Sequence, residues 1–119
     1  MILQVSPQGD VLREISLLDV LYQDEQALSV LFANNEKVPQ VTKPDWAHLN
    51  DVEILSPTKA ESFPAFEAED ILVSLRNLNL LMVIDSQSLD IKWMKVGPWL
   101  RQHDPDFLPY GRISVFDNR

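Results

Sequence analysis

Two stretches of this chain are written twice, and that duplication limits its fold more than any other feature. "ILQVSPQGDVLREI", 2–15, lies over "LMVIDSQSLDIKWM", 81–94, with one residue inserted in the turn. Each copy reads as a strand, a polar turn carrying Asp10 or Asp90, and a second strand. "HLNDVEIL" followed by "DILVS" lies in the same way over "HDPDFLP" followed by "GRISV". In chain order this predicts the last two strands of one four-stranded unit over 1–16, a helical insertion over 17–36, a whole unit over about 47–96, and the first two strands of a third over 102–119. The expected class is all-β, with antiparallel four-stranded units repeating as β-propeller blades. A propeller needs at least four blades and about two are present, so the remaining blades are expected from a longer parent chain or an oligomer.

Local signals fill in this outline. Pro7 and Gly9 suit a tight reversal between the first two strands. Ser16 and Asp19 are spaced like a capping box ahead of Leu17, Leu18 and Leu21, which predicts a short helix. Asp24 is expected to start a second helix, and Asn34 or Asn35 to end it. Strand runs resume at "HLNDVEILS", "DILVSLRN", "NLLMVID", "IKWMKV", "DPDFLP" and "ISVF". Nearly all are apolar on both faces, the pattern of sheets covered on both sides. The acidic, proline-bearing stretch "PTKAESFPAFEAE" is expected to be a solvated insertion.

Composition removes several functions. Ten basic against eighteen acidic residues give a net charge of −8, which repels phosphate backbones and argues against nucleic acid as a partner. No cysteine is present, so thiol catalysis and zinc–thiolate sites are excluded. No run approaches the roughly 18 to 20 apolar residues of a membrane span. The start "MILQVSPQGD" lacks the basic segment and apolar core of a signal peptide.

The chain has two histidines, and both begin the pattern His-x-x-Asp-apolar. His48 and His103 occupy equivalent places at the start of what would be the innermost strand of successive blades, so both are expected at one mouth of a central channel. Asp51 and Asp106 fall on the opposite strand face and suit bonds to turns or neighbouring blades. The same pattern is also what a duplicated structural clamp would leave. Trp46, Trp99 and Phe107 flank the motifs and suit core packing better than contact with an aromatic ligand.

Three linked motifs give the pattern a family. "DWAHLNDVEIL", "LVSLRNLNLLMVID" and "IKWMKVGPWLRQHDPDFLPYGRISVFDN" resemble the arylsulfotransferases, whose members show Asp-Trp-x-His-x-Asn-x-Val, then Ser-x-Arg, then Gln-His-Asp. The resemblance runs from about Asp45 to Asn118. It implies a six-bladed propeller and transfer of a sulfuryl group from an aryl sulfate to a phenol, without a nucleotide donor or other cofactor. It further suggests a periplasmic or secreted location. In that mechanism a histidine on the channel axis carries the group as a sulfohistidine. By motif, His103 matches this nucleophile, while His48 and Arg76 match residues that bind the sulfate oxygens. Asn77 stands where many catalytic members have a histidine.

Elementary chemistry is consistent with those roles. Sulfuryl transfer needs an in-line nucleophile and cationic donors on the equatorial oxygens. Arg76 offers a planar, permanently charged fork, and a neutral imidazole is a competent nucleophile. His48 suits donation to a sulfate oxygen or proton delivery to the departing phenolate, and Asn50 and Asn77 add uncharged donors. The two histidines with Asp104 and Asp106 offer ligand types for a metal, but three well-placed ligands and a second shell are needed and only the propeller geometry brings even two together, so a metal site is not expected. A propeller of the same build that binds a small anion or a protein partner without chemistry is the alternative.

Overall fold

A computed structural model describes residues 1–33 and 45–119; the expected helix stop at Asn34 or Asn35 lies outside the described residues. The architecture is mostly antiparallel strand, which makes the chain all-β with a few short helices.

The first hairpin joins β1 (Ile2–Val5) to β2 (Val11–Ile15). Ser6 closes its turn, since Ser6 Oγ accepts from the amides of Gln8 and Asp10 at 3.2 and 3.1 Å. Two helices follow, α1 (Leu17–Gln23) and α2 (Glu25–Ala33). Ser16 caps α1 by accepting from the amide of Asp19 at 3.3 Å, and Asp24 opens α2 by accepting from that of Ala27 at 2.8 Å. Such caps satisfy amides that a helix start leaves without partners.

The centre is a four-stranded meander of β3 (Leu49–Ile54), β4 (Ile71–Leu75), β5 (Leu80–Ile84) and β6 (Ile91–Val96), paired in that order. A single helical turn, α3 (Pro57–Ala60), lies in the β3–β4 connection, and a 3₁₀ turn (Arg76–Leu78) joins β4 to β5. The last hairpin is β7 (His103–Leu108) with β8 (Arg112–Phe116).

β4 and β5 are buried along their whole length, so the two faces of the central sheet serve two cores. One face, with Val73, Leu75, Leu80 and Met82, packs against Ile15 and the helix residues Leu17, Leu21 and Leu31. The other, with Leu72 and Val83, packs against Leu55, Phe63 and Phe107. Burial on both faces is limited to these two strands; β1 leaves Leu3 and Val5 exposed, and β2 leaves Val11 and Leu12 exposed. The physical reason is neighbours. β4 and β5 are the inner strands of the one four-stranded sheet, whereas the outer hairpins each have two free edges among the described residues.

The acidic connection is more than a solvated insertion. Phe63 is buried and meets Phe107 edge-on with ring centroids 5.1 Å apart, while Phe66 stacks on Phe63 at 5.6 Å. These contacts place an aromatic plug between the central sheet and the last hairpin. Beside it Lys92 Nζ bonds Asp85 at 2.9 Å, Asp70 at 3.0 Å and Glu67 at 3.3 Å, drawing the insertion onto β6.

The two segments aligned in the sequence, 2–15 and 81–94, both form antiparallel hairpins. Ser6 N donates to Asp10 O at 2.8 Å, and Asp85 N donates to Asp90 O at 2.9 Å. Asp85 Oδ1 takes the amides of Gln87 and Ser88, each at 2.8 Å, where Ser6 Oγ takes those of Gln8 and Asp10. The β3–β4 pairing has a register irregularity between Leu49 and Asp51, and the β7–β8 pairing has one between His103 and Asp106.

Candidate functional site

β3 and β4 run antiparallel, so the residue before one strand meets the residue after the other. Arg76 N donates to His48 O at 3.0 Å, and Asn77 N donates to Ala47 O at 3.0 Å. Arg76 Nη1 bonds Asn77 Oδ1 at 3.2 Å, and Asn77 Nδ2 donates to Asp45 O at 3.2 Å. Asp45, His48, Arg76 and Asn77 therefore form one polar network at a single end of the central sheet. His48 and Asp45 both have positive φ, 51° and 62°, a conformation in which a short polar residue such as aspartate is among the better tolerated.

Asp45 was absent from the sequence-derived set, although it opens the "DWAH" motif. Its carboxylate bonds His48 Nδ1. An ionised carboxylate only accepts, so Nδ1 carries the hydrogen and Nε2 of the neutral ring is left as the acceptor.

His103 opens β7, which packs against β3 and β4. Asn50 Nδ2 donates to the carbonyl of Gln102 at 2.7 Å, tying the residue after Leu49 to the residue before His103. Gln102 is fully buried, and its Nε2 bonds Ser74 Oγ and Leu80 O, both at 3.1 Å. Asn79 Oδ1 accepts from Arg101 N at 2.8 Å. Hence the segment leading to His103 is anchored to the same end of the sheet that carries His48 and Arg76. Glu53 adds a further tie, accepting from Phe107 N at 2.5 Å while it bonds Lys59 at 2.9 Å.

The His103 ring meets Asn118, whose Nδ2 lies 2.9 Å from Nδ1. Neither Gln102 nor Asn118 was singled out from the sequence. A buried glutamine between two strands carries no periodic signal, and Asn118 lies after the last strand.

Burial is uneven across the set. His48, Arg76, Asn50 and His103 are half-buried, and Asn77 is exposed. A cavity of about 300 Å³ is lined by Ser16, Asp45, Trp46 and His48 among others, without Arg76 or His103 in its wall. A second, of about 270 Å³, lies between β6 and β8 and is mainly apolar, with Phe63, Phe66, Trp93 and Trp99 among its lining residues. Asp51 sits near the two histidine strands, and its carboxyl is raised above the ordinary range by burial first and then by Asp104, with Asp106 and Glu53 adding to it. Among the described residues no group of three His, Asp or Glu side chains is arranged to hold a metal, and no helix is long and apolar enough to cross a membrane.

The sequence profile of the family described as Arylsulfotransferase (ASST) matches residues 1–119. The chain belongs to that family, and with it to the sulfotransferase class of group-transfer proteins, for which aryl sulfates and phenols are the implied substrates. No curated protein and no solved structure matches it.

Proposed function

We propose that this chain supplies part of a β-propeller, with 47–96 as a whole blade, 1–16 and 102–119 as portions of its neighbours, and 17–36 as a helical insertion. At the mouth of that propeller it takes part in sulfuryl transfer from an aryl sulfate to a phenol through a sulfohistidine. His103 is the carrier, as its place in Gln-His-Asp implies. Arg76 holds two oxygens of the sulfuryl group with its fork, and His48, in the form that carries a second proton at Nε2, donates to a third or to the departing phenolate. Asn50 and Asn77 each give one amide hydrogen to the protein and offer the second to the substrate.

The observation that carries this reading is the bond from Arg76 N to His48 O at 3.0 Å, because it joins two of the three motif residues. β7 lying beside β3 supports the third.

The test is the intact mass of the protein, within its full parent chain if it has one, after brief mixing with a chromogenic aryl sulfate and an acid quench, followed by peptide mapping. The expected result is a sulfuryl-sized gain on the peptide holding His103, absent in His103→Ala. No gain and no phenol released across several aryl sulfates would turn the reading to a non-catalytic propeller binding a small anion or a protein. The asparagine at position 77 is the feature that favours that second reading.

A further inference from the structure

We propose that Asn118 is a positioning residue for His103: it decides which ring nitrogen carries the proton, and holds the ring in the form whose Nε2 is a donor. The orientation of the Asn118 amide is fixed by the protein. Its Nδ2 donates to Arg101 O at 3.0 Å, and an amide turned the other way would set two oxygens against each other. The backbone holds the residue as well, since Asn118 N donates to Leu100 O at 3.2 Å. Asp117 fastens the same segment by taking the amide of Leu100 at 3.0 Å and Arg119 Nε at 2.6 Å.

With one Nδ2 hydrogen committed to Arg101 O, the second is directed to His103 Nδ1 at 2.9 Å. That nitrogen accepts through its lone pair. In the neutral ring the hydrogen is therefore on Nε2. His48 is held the opposite way, because Asp45 draws its hydrogen to Nδ1. The two histidines, equivalent in the sequence repeat, are thus set as a donor and an acceptor by neighbours that the repeat does not share.

The consequence for chemistry rests on the sulfuryl-transfer reading. Attack by His103 Nε2 forms a nitrogen–sulfur bond as the sulfur–oxygen bond breaks, and its electron pair leaves on the phenolate oxygen. Nε2 must then offer a lone pair, so the ring hydrogen has to sit on Nδ1, which costs the bond from Asn118. Asn118 accordingly holds His103 in a resting form, and Asn118→Asp, which offers only acceptor oxygens, releases it.

The experiment is long-range proton–nitrogen NMR of the histidine rings in the ¹⁵N-labelled protein, above the pH at which imidazole titrates, alongside the initial rate of sulfuryl uptake from an aryl sulfate. The wild type is expected to show an unprotonated Nδ1 and a protonated Nε2 at His103, and Asn118→Asp the reverse. Uptake by His103 is expected to rise about tenfold in Asn118→Asp, from a hydrogen bond that now favours the reactive form. A protonated Nδ1 in the wild type, or a ring unchanged by Asn118→Asp, overturns the proposal. If the ring reverses and no sulfuryl group is taken up by any variant, the assignment of Asn118 stands and the sulfuryl-transfer reading falls.

Discussion

Asn50 and Gln102 are joined by a 2.7 Å hydrogen bond, and through it the strand after one histidine steadies the strand that begins with the other. Asn50→Ala removes the donor and leaves the Gln102 carbonyl without it. The expected loss in unfolding free energy is about 1 kcal/mol. Gln102→Leu should cost more, about 2 kcal/mol, because Leu80 O loses a donor in a fully buried place. Urea titration of the two variants checks both, and a Gln102→Leu protein as stable as the wild type would show the buried amide to be dispensable.

Gly111 turns the last hairpin with φ of 65°, and a Cβ there would lie 2.7 Å from the carbonyl oxygen of Ser62. Conformation and contact both oppose a side chain, so Gly111→Ala is expected to destabilise by about 2 kcal/mol. The aromatic plug should loosen with it. Faster amide exchange around Phe63 and Phe107 in that variant is the accompanying sign.

Lys92 is held by three carboxylates, one of which, Asp70, is almost completely buried. Lys92→Met leaves that carboxylate without its cation and is expected to cost about 3 kcal/mol. The wild-type cage has a defined pH window. The Asp85 carboxyl is held well below its ordinary value by the amide of Ser88 first, then by Lys92 and the amide of Gln87. Its folded-state pKa is below the unfolded one, so its contribution is present above the ordinary value of 3.8 and is lost as pH falls below it. For Lys92 burial opposes the charge most, yet hydrogen bonds to Asp85, Asp70 and Glu67 outweigh it and raise the pKa above 10.5. That contribution is complete below 10.5 and fades as pH rises toward the folded-state value. Denaturant midpoints from acid to alkali should fall at both ends in the wild type, with the acid fall reduced in Lys92→Met.

Asp51 works in the other direction. Its pKa is raised by burial and by Asp104, so the charged form is disfavoured in the folded protein. Stability is therefore lost as pH rises from the ordinary value of 3.8 through the folded-state value. Asp51→Asn should raise the denaturant midpoint at neutral pH and make no difference in strong acid. An unchanged midpoint at neutral pH would mean that solvent already screens the Asp51, Asp104 and Asp106 cluster.

The strands were legible because each is a short apolar run between turn residues: "IKWMKV" is β6, and "DILVSLRN" contains β4. The helix starts were legible because Ser16 and Asp24 act within three residues of themselves. Contacts between distant segments were not. Phe63 reaching Phe107, and Lys92 reaching Asp70, depend on how the β3–β4 connection folds back, and an acidic loop gives no sign of that in its composition. The site shows the same division. His48, Arg76 and His103 were marked by motif, whereas Asp45, Gln102 and Asn118 act on the rings and strands through bonds that only the folded backbone brings into range.

The paired turns at Ser6 and Asp85 also differ in charge, although they tie the backbone alike. A hydroxyl performs the first closure and meets only the Asp10 carboxylate of its own turn, and the residue aligned with Lys92 is the exposed Leu12. A carboxylate performs the second and brings a lysine with it. The charged turn is thus tied through its side chain to the adjacent strand, at 2.9 Å from Lys92 on β6, whereas the uncharged one is not. Exchanging Asp85 for serine would leave Lys92 to the carboxylates of Asp70 and Glu67 alone, so the turn at Asp85 is coupled to the β3–β4 connection through a single ammonium group.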